Sequence, residues 1–249
     1  MTAPDMAVDV GNSRIKVAIR HGGAIAKVLT LSHGCENFHD VCVAEAMAIA
    51  GEIPSRWILA GVVPAETERL NACLIRSGGS VCWLNHHSKI GMRLSVVEPS
   101  RVGVDRLLSA KAAYHLASGK PCMIVDAGTA LTINWVDGAG IFQGGSIQPG
   151  WNLMAKSLGD GTAELPEVGS EQSSDSPWPA KNTHDAIQTG LQGAILGSVG
   201  RFWKRAIELD QDANLWFTGG GGEWISGHFS GISRFHPNLV LEGMFLAAS

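Results

Sequence analysis

A chain of 249 residues has room for one large domain or two of ordinary size, and a chain of this length buries roughly 70 to 75% of its unfolded surface. With 45% apolar and 17% charged residues and a net charge of −4, the composition disfavours both disorder and electrostatic wrapping of nucleic acid. No apolar run approaches the ~20 residues of a membrane span, MTAPDMAVDVGN carries acids where a secretory leader needs bases, and five cysteines without Cys-x-x-Cys fit reduced thiols. The expectation is a cytoplasmic protein acting on a small molecule, with no nucleic-acid or membrane partner.

In chain order, Met6 to Leu31 reads as a strand meander with a turn at His21-Gly22-Gly23. Its first turn is Asp9-Val10-Gly11-Asn12-Ser13-Arg14-Ile15-Lys16, ahead of the apolar run Val17-Ala18-Ile19. Phe38 to Ala50 has helical spacing through Val41, Val43, Ala44, Met47 and Ala48. His33, Cys35, His39 and Cys42 raise a metal reading, but no second ligand pair at structural-zinc spacing supports it. Trp57 to Val63 is a strand, Pro64 starts a helix through Leu70 and Leu74, and Val81 to Leu84 is another strand. His86 and His87 follow in a polar loop with no function required of them. Gly103-Val104-Asp105-Arg106 then enters a helix through Leu107, Leu108, Ala112 and Leu116 that closes at Gly119. Taken alone, Asp105 is a first-turn acid of the ordinary capping kind.

The stretch Cys122 to Gly150 organises the rest. Cys122 to Val125 is a short buried strand, Asp126-Ala127-Gly128 supplies a charge and a turn, and Leu131, Ile133 and Trp135 alternate as a second strand. A carboxylate at a strand end, followed by Gly and Thr with unobstructed amides, suits a cation and a phosphate. Asp9 and Asp126 head the same Asp-x-Gly-polar-small pattern nearly half the chain apart. That recurrence predicts two related halves facing across a nucleotide cleft, whereas one such turn alone is a plain hairpin.

Gly144 to Gly150 reads as a glycine-rich turn into a helix near Leu153 and Met154, and Asp160 to Lys181 as a loop. Thr183 and Asp185 open a long helix to about Leu209, in which Gly190, Gly193, Gly197 and Gly200 line one face. At ~1 kcal/mol each relative to alanine, such glycines imply close packing, a subunit contact being one use. Leu215 to Thr218 is a strand ending at Gly219-Gly220-Gly221-Gly222, and the chain ends in a helix after Pro237.

Together these segments resemble the type III pantothenate kinases, of the acetate and sugar kinase, Hsc70 and actin superfamily, almost end to end. The resemblance rests on Asp9 to Lys16, Gly103 to Arg106, Asp126 to Thr132, Gly144 to Gly150 with Met154, Thr183, and Thr218-Gly219-Gly220. It implies an α/β fold of two ribonuclease-H-like (actin-like) domains, 1–118 and 119–249, with a nucleotide cleft between them. It further implies a homodimer with the site at the subunit interface, ATP with Mg2+ or another divalent cation, K+ or NH4+, and pantothenate as acceptor in the first step of coenzyme A synthesis. Carried over by position, Asp9, Val10, Gly11, Asn12, Ser13, Arg14, Ile15, Lys16 and Thr129 bind ATP, with Asp9 organising the divalent cation. Asp126 holds the monovalent cation. Gly103, Val104, Asp105 and Arg106 hold pantothenate, Asp105 as catalytic base and Arg106 toward the carboxylate, and Thr183 reaches the neighbour's substrate.

No Gly-x-x-x-x-Gly-Lys-Ser/Thr occurs, which disfavours a P-loop kinase. Val97 stands where the family carries an aromatic, Asn134 where it often has Asp, and Ser13 where it has Thr. The alternatives are a catalytically inactive nucleotide-binding regulatory paralogue, which retention of Asp9, Asp105 and Asp126 opposes, and a kinase or phosphatase for another small alcohol or acid.

Overall fold

The computed structural model describes residues 5–21, 23–32, 38–51, 54, 56–169, 176–231 and 233–249. The chain divides into two compact units. The first comprises Met1–Arg93, Val97–Ala112 and Leu239–Ser249, and the second Leu94–Val96 and Ala113–Asn238. This differs from a single cut after residue 118 because the last helix returns to the first unit.

The first unit is built on a five-stranded sheet of β1 (Asp5–Val10), β2 (Arg14–His21), β3 (Ala24–Ser32), β4 (Arg56–Gly61) and β5 (Ser80–Trp83), ordered β3-β2-β1-β4-β5. β1 pairs antiparallel with β2 and parallel with β4. Alternation along β1 sends Met6, Val8 and Val10 into a core with Val43 and Ala46 of α1 (Phe38–Ala50) and Leu70 and Leu74 of α2 (Pro64–Arg76). Asp5, Ala7 and Asp9 therefore face the other side. The terminal helix α7 (Leu239–Ala247) buries Leu239, Leu241, Met244 and Phe245. Arg20 lies over the Phe245 ring at 4.4 Å, and Arg56 ties Asp5 (2.8 Å) to the Ala248 carbonyl (2.6 Å). These contacts are why the tail belongs with β1.

The second unit repeats the plan. β7 (Cys122–Ala127), β8 (Ala130–Val136), β9 (Ile141–Pro149), β10 (Asn214–Thr218) and β11 (Ser233–Phe235) run in the order β9-β8-β7-β10-β11, with the two-residue β6 (Arg93–Leu94) added beside β9. β7 again has an antiparallel neighbour, β8, and a parallel one, β10. Met123, Val125, Leu131, Ile133 and Phe217 face the core under α4 (Trp151–Gly161) and α5 (Thr183–Leu209). Among the described residues the remaining α-helices are α3 (Val104–Leu116) and α6 (Gly222–Gly227). The two halves expected from the repeated Asp-x-Gly thus share strand order and strand direction.

One local expectation is corrected and another is narrowed. Gly144 to Gly150 is not a turn. β9 continues through Pro149, and the glycines accommodate a register shift opposite Trp135 and Val136, Gly144 with φ +92°. Along α5, a Cβ at Gly190, Gly193, Gly197 or Gly200 would meet nothing within 4 Å. Ile187, Leu191, Ile195 and Val199 make the buried face instead, so among the described residues nothing packs against the place a side chain on the stripe would take.

Candidate active site

In the first unit Asp9 is the next-to-last residue of β1, in register with Lys16 of β2 and Ala60 of β4. The three residues Gly11, Asn12 and Ser13 make the connection, closed by the Gly11 amide on the Arg14 carbonyl at 3.0 Å. Asn12, Ser13 and Arg14 are exposed, whereas Val10 and Ile15 are fully buried. The latter two side chains are core, and only their backbone is available to a ligand.

Val62 joins this hairpin to the segment before α3. Its amide donates to the Val10 carbonyl at 3.0 Å, and its side chain lies 3.9 Å from where a Cβ on Gly103 would stand. The same Cβ would come within 2.5 Å of Asp105 Oδ1. Glycine at 103 therefore makes room for the Asp105 carboxylate, which curls back at the head of α3 and accepts the Arg106 amide at 2.8 Å. Burial raises the Asp105 pKa above the ordinary carboxylate range, opposed by the Arg106 amide and guanidinium. Arg106 is half-buried, and its pKa is lowered by burial and held up by Asp105. Val104 is buried and points into the core.

In the second unit Asp126 is the next-to-last residue of β7, in register with Thr132 and Thr218. Only Gly128 and Thr129 make the turn, with the Gly128 amide on the Ala130 carbonyl at 3.1 Å, and both are exposed. A Cβ on Gly219 would stand 2.6 Å from Asp126 Oδ1 and 2.6 Å from the Ala127 carbonyl oxygen. A carboxylate oxygen and a peptide oxygen thus converge on a place that only glycine leaves open. Oxygen donors with one negative charge suit a hard cation of low charge. Among the described residues no group of three or more His, Cys, Asp or Glu is placed to hold a metal ion. Thr183 is the exposed first residue of α5, where Asn182 caps the helix by accepting the Asp185 amide at 2.9 Å.

The structure thus gathers Asp9 to Lys16 with Gly103 to Arg106 in the first unit, and carries Asp126, Thr129 and Thr183 in the second. Sequence reasoning missed Gly61 and Val62. The signal was a glycine ending a strand immediately before Val-Val-Pro. Of the other candidates, His39 pairs with Glu66 at 2.7 Å, and the Cys42 thiol is pushed up to about 12, chiefly by burial. His33 and Cys35 lie outside the described residues. Of the departures, Val97 is wholly exposed, and the buried Asn134 donates to Thr132 Oγ1 at 3.1 Å.

A family model described as type III pantothenate kinase matches residues 6–205. A type III pantothenate kinase of Cupriavidus pinatubonensis is 32% identical over 276 aligned positions that cover all of both chains. Among solved structures, a Campylobacter jejuni protein described as a conserved Baf family transcriptional activator has a TM-score of 0.64 at 21% identity, with 97% of this chain and 96% of that one covered. MreB 5 of Spiroplasma citri, solved with AMPPNP, has a TM-score of 0.55 at 10% identity, covering 99% and 96%. At these identities the two structures speak for the fold, which is the two-domain actin-like one. The family match and the full-length relative go further: this chain belongs to the type III pantothenate kinase family.

Proposed function

We infer that this protein transfers the γ-phosphoryl group of ATP to the primary hydroxyl of pantothenate, giving ADP and 4'-phosphopantothenate, the first step of coenzyme A synthesis. The observation that carries the reading is the Asp105 carboxylate, held by the Arg106 amide over Gly103 at the head of a helix. In the forward step the hydroxyl oxygen attacks the γ-phosphorus, the bond to the β,γ-bridging oxygen breaks, and the hydroxyl proton passes to Asp105. Phosphoryl transfer asks the protein for in-line placement and charge neutralisation more than for covalent chemistry. The two hairpins supply that: Asn12, Ser13, Arg14 and Lys16 in one and Thr129 in the other contact the phosphates. Asp9 holds the divalent cation that travels with ATP, Asp126 with the neighbouring carbonyl holds K+ or NH4+, and Arg106 pairs with the pantothenate carboxylate. The bound cations supply positive charge to the developing transition state.

The glycine stripe of α5, exposed at Gly190, Gly193 and Gly197, supports a homodimer in which Thr183 reaches the partner's pantothenate, and the use of ATP in coenzyme A synthesis supports a cytoplasmic enzyme. A coupled assay of ADP release with and without pantothenate, in potassium and then in sodium, tests the reaction. Pantothenate-dependent release is expected, and ADP release indifferent to pantothenate would overturn the reading. For the dimer, Asp105→Asn and Thr183→Trp subunits are mixed and reassembled, which regenerates one unaltered site per hybrid. Verified hybrids that stay inactive would sink the shared site.

A further inference from the structure

The second hairpin is gripped from two sides. On one side the Gly221 amide donates to the Ala127 carbonyl at 3.0 Å, and on the other the Gly150 amide donates to the Thr129 carbonyl at 2.9 Å. The turn between those carbonyls, Gly128 and Thr129, is exposed, while Leu131, Trp151, Ile195 and Ile225 form an apolar floor beneath it. Neither side has slack. A Cβ on Gly150 would overlap the Gly128 carbonyl and stand 2.7 Å from that of Thr129, and one on Gly219 would meet the Ala127 carbonyl and the Asp126 carboxylate. The obstacles are mostly backbone atoms, which yield only if the hairpin itself moves. Gly150 cannot retreat either, since it caps α4, whose Trp151 and Ala155 are buried.

We propose that Gly150 and Gly219 are positioning residues for phosphoryl transfer. Gly150 sets the Gly128-Thr129 tip against the nucleotide phosphates, and Gly219 sets the Asp126 carboxylate against the monovalent cation. The proposal rests on the functional reading above and assigns each glycine a separate consequence. A misplacement of about an ångström costs on the order of 10²-fold in turnover, but the effect must follow the phosphates rather than the whole nucleotide.

The unaltered protein is first titrated calorimetrically with ADP and with AMP and assayed for pantothenate-dependent turnover. ADP binding without that turnover removes the acceptor assignment and leaves the grip testable, whereas no affinity for ADP overturns both. In Gly150→Ala, ADP affinity is expected to fall about tenfold or more, with AMP affinity and the KM for pantothenate held within about twofold. In Gly219→Ala, the potassium concentration for half-activation is expected to rise several-fold. Gly159→Ala, whose Cβ would meet nothing closer than 3.7 Å, should change neither. Equal losses for ADP and AMP, or an unchanged ADP affinity, would overturn the proposal. Should Gly150→Ala fail to fold, amide exchange in the unaltered protein decides. The Gly150 and Gly221 amides are expected to exchange slowly, with ADP slowing residues 127–130 further, and exchange at the rate of an exposed turn defeats the grip.

Discussion

The two Asp-x-Gly hairpins are built to one plan and finished differently. Each carboxylate is the next-to-last residue of a strand that has an antiparallel neighbour on one side and a parallel one on the other. In each, a glycine at or just after the end of the parallel neighbour presses on the residue before the turn: Gly61, the last residue of β4, on Val10, and Gly219, next after β10, on Ala127. Each also receives an amide from just beyond that glycine, Val62 on Val10 and Gly221 on Ala127, both at 3.0 Å. The connections differ, three residues in the first and two in the second. So does the chemistry beside them. Both glycines face the carbonyl oxygen of the residue before the turn, but Gly61 also abuts the Val10 side chain and the Thr67 hydroxyl, whereas Gly219 abuts the Asp126 carboxylate. A duplicated frame can therefore present a longer polar loop in one half and an oxygen-lined cradle in the other.

The proposed base, Asp105, lies outside both hairpins, and the largest expected effect lies with it. Asp105→Asn should lower turnover by on the order of 10² or more, as for loss of a general base, and leave ADP affinity intact. Turnover within a few-fold of the unaltered protein would reduce Asp105 to a first-turn helix acid. Because burial raises its pKa, kcat/KM for pantothenate should fall on acidification at a pH above the usual carboxylate range. Stability runs the opposite way. A carboxyl whose folded pKa exceeds its unfolded value favours the fold most when protonated, and that contribution is lost as pH rises through the folded pKa. Asp105→Asn is thus expected to melt no lower than the unaltered protein at neutral pH, with the gap closing in acid.

The next effect separates the hairpins. Asp126→Ala should remove most activity together with the preference for potassium over sodium, while Asp9→Asn should weaken the response to magnesium and leave the monovalent preference of the residual activity in place. Initial rates in potassium and in sodium, each at low and at high magnesium, test the division. If both variants lose the same cation response, the two carboxylates serve one site and the contrast between the halves is wrong.

Much of this was legible in the chain. The second hairpin, the helix from Thr183 and the strand at Leu215 follow from period, capping and β-branched runs, and the repeat of Asp9 at Asp126 announced the duplicated sheet. Glycine misled wherever its reason lay in space. Gly144 and Gly145 read as a turn because the register shift they serve depends on Trp135 and Val136 across the sheet. The tail looked like part of the second half because sequence gives no sign that Phe245 lies under Arg20. Asp105 was set apart from a first-turn helix acid only by the family resemblance of Gly103 to Arg106, since its raised pKa comes from tertiary burial.

The smallest effect concerns the shared frame rather than the chemistry. An alanine Cβ at Gly61 would overlap the Thr67 hydroxyl and stand 2.7 Å from Val10 Cβ. Thr67 is itself fixed, buried and donating to the Val63 carbonyl at 2.8 Å. Overpacking of that kind costs about 1–3 kcal/mol, which for a domain of about 150–250 residues lowers Tm by about 2–4 °C per kcal/mol. Gly159→Ala, a helical position with room for the methyl, should gain up to about 1 kcal/mol from helix propensity. Thermal unfolding of the two variants under one set of conditions should therefore shift in opposite directions. If Gly61→Ala melts with the unaltered protein, β4 and α2 adjust freely under the first hairpin, and the tight parallel-side contact is a property of the second half alone.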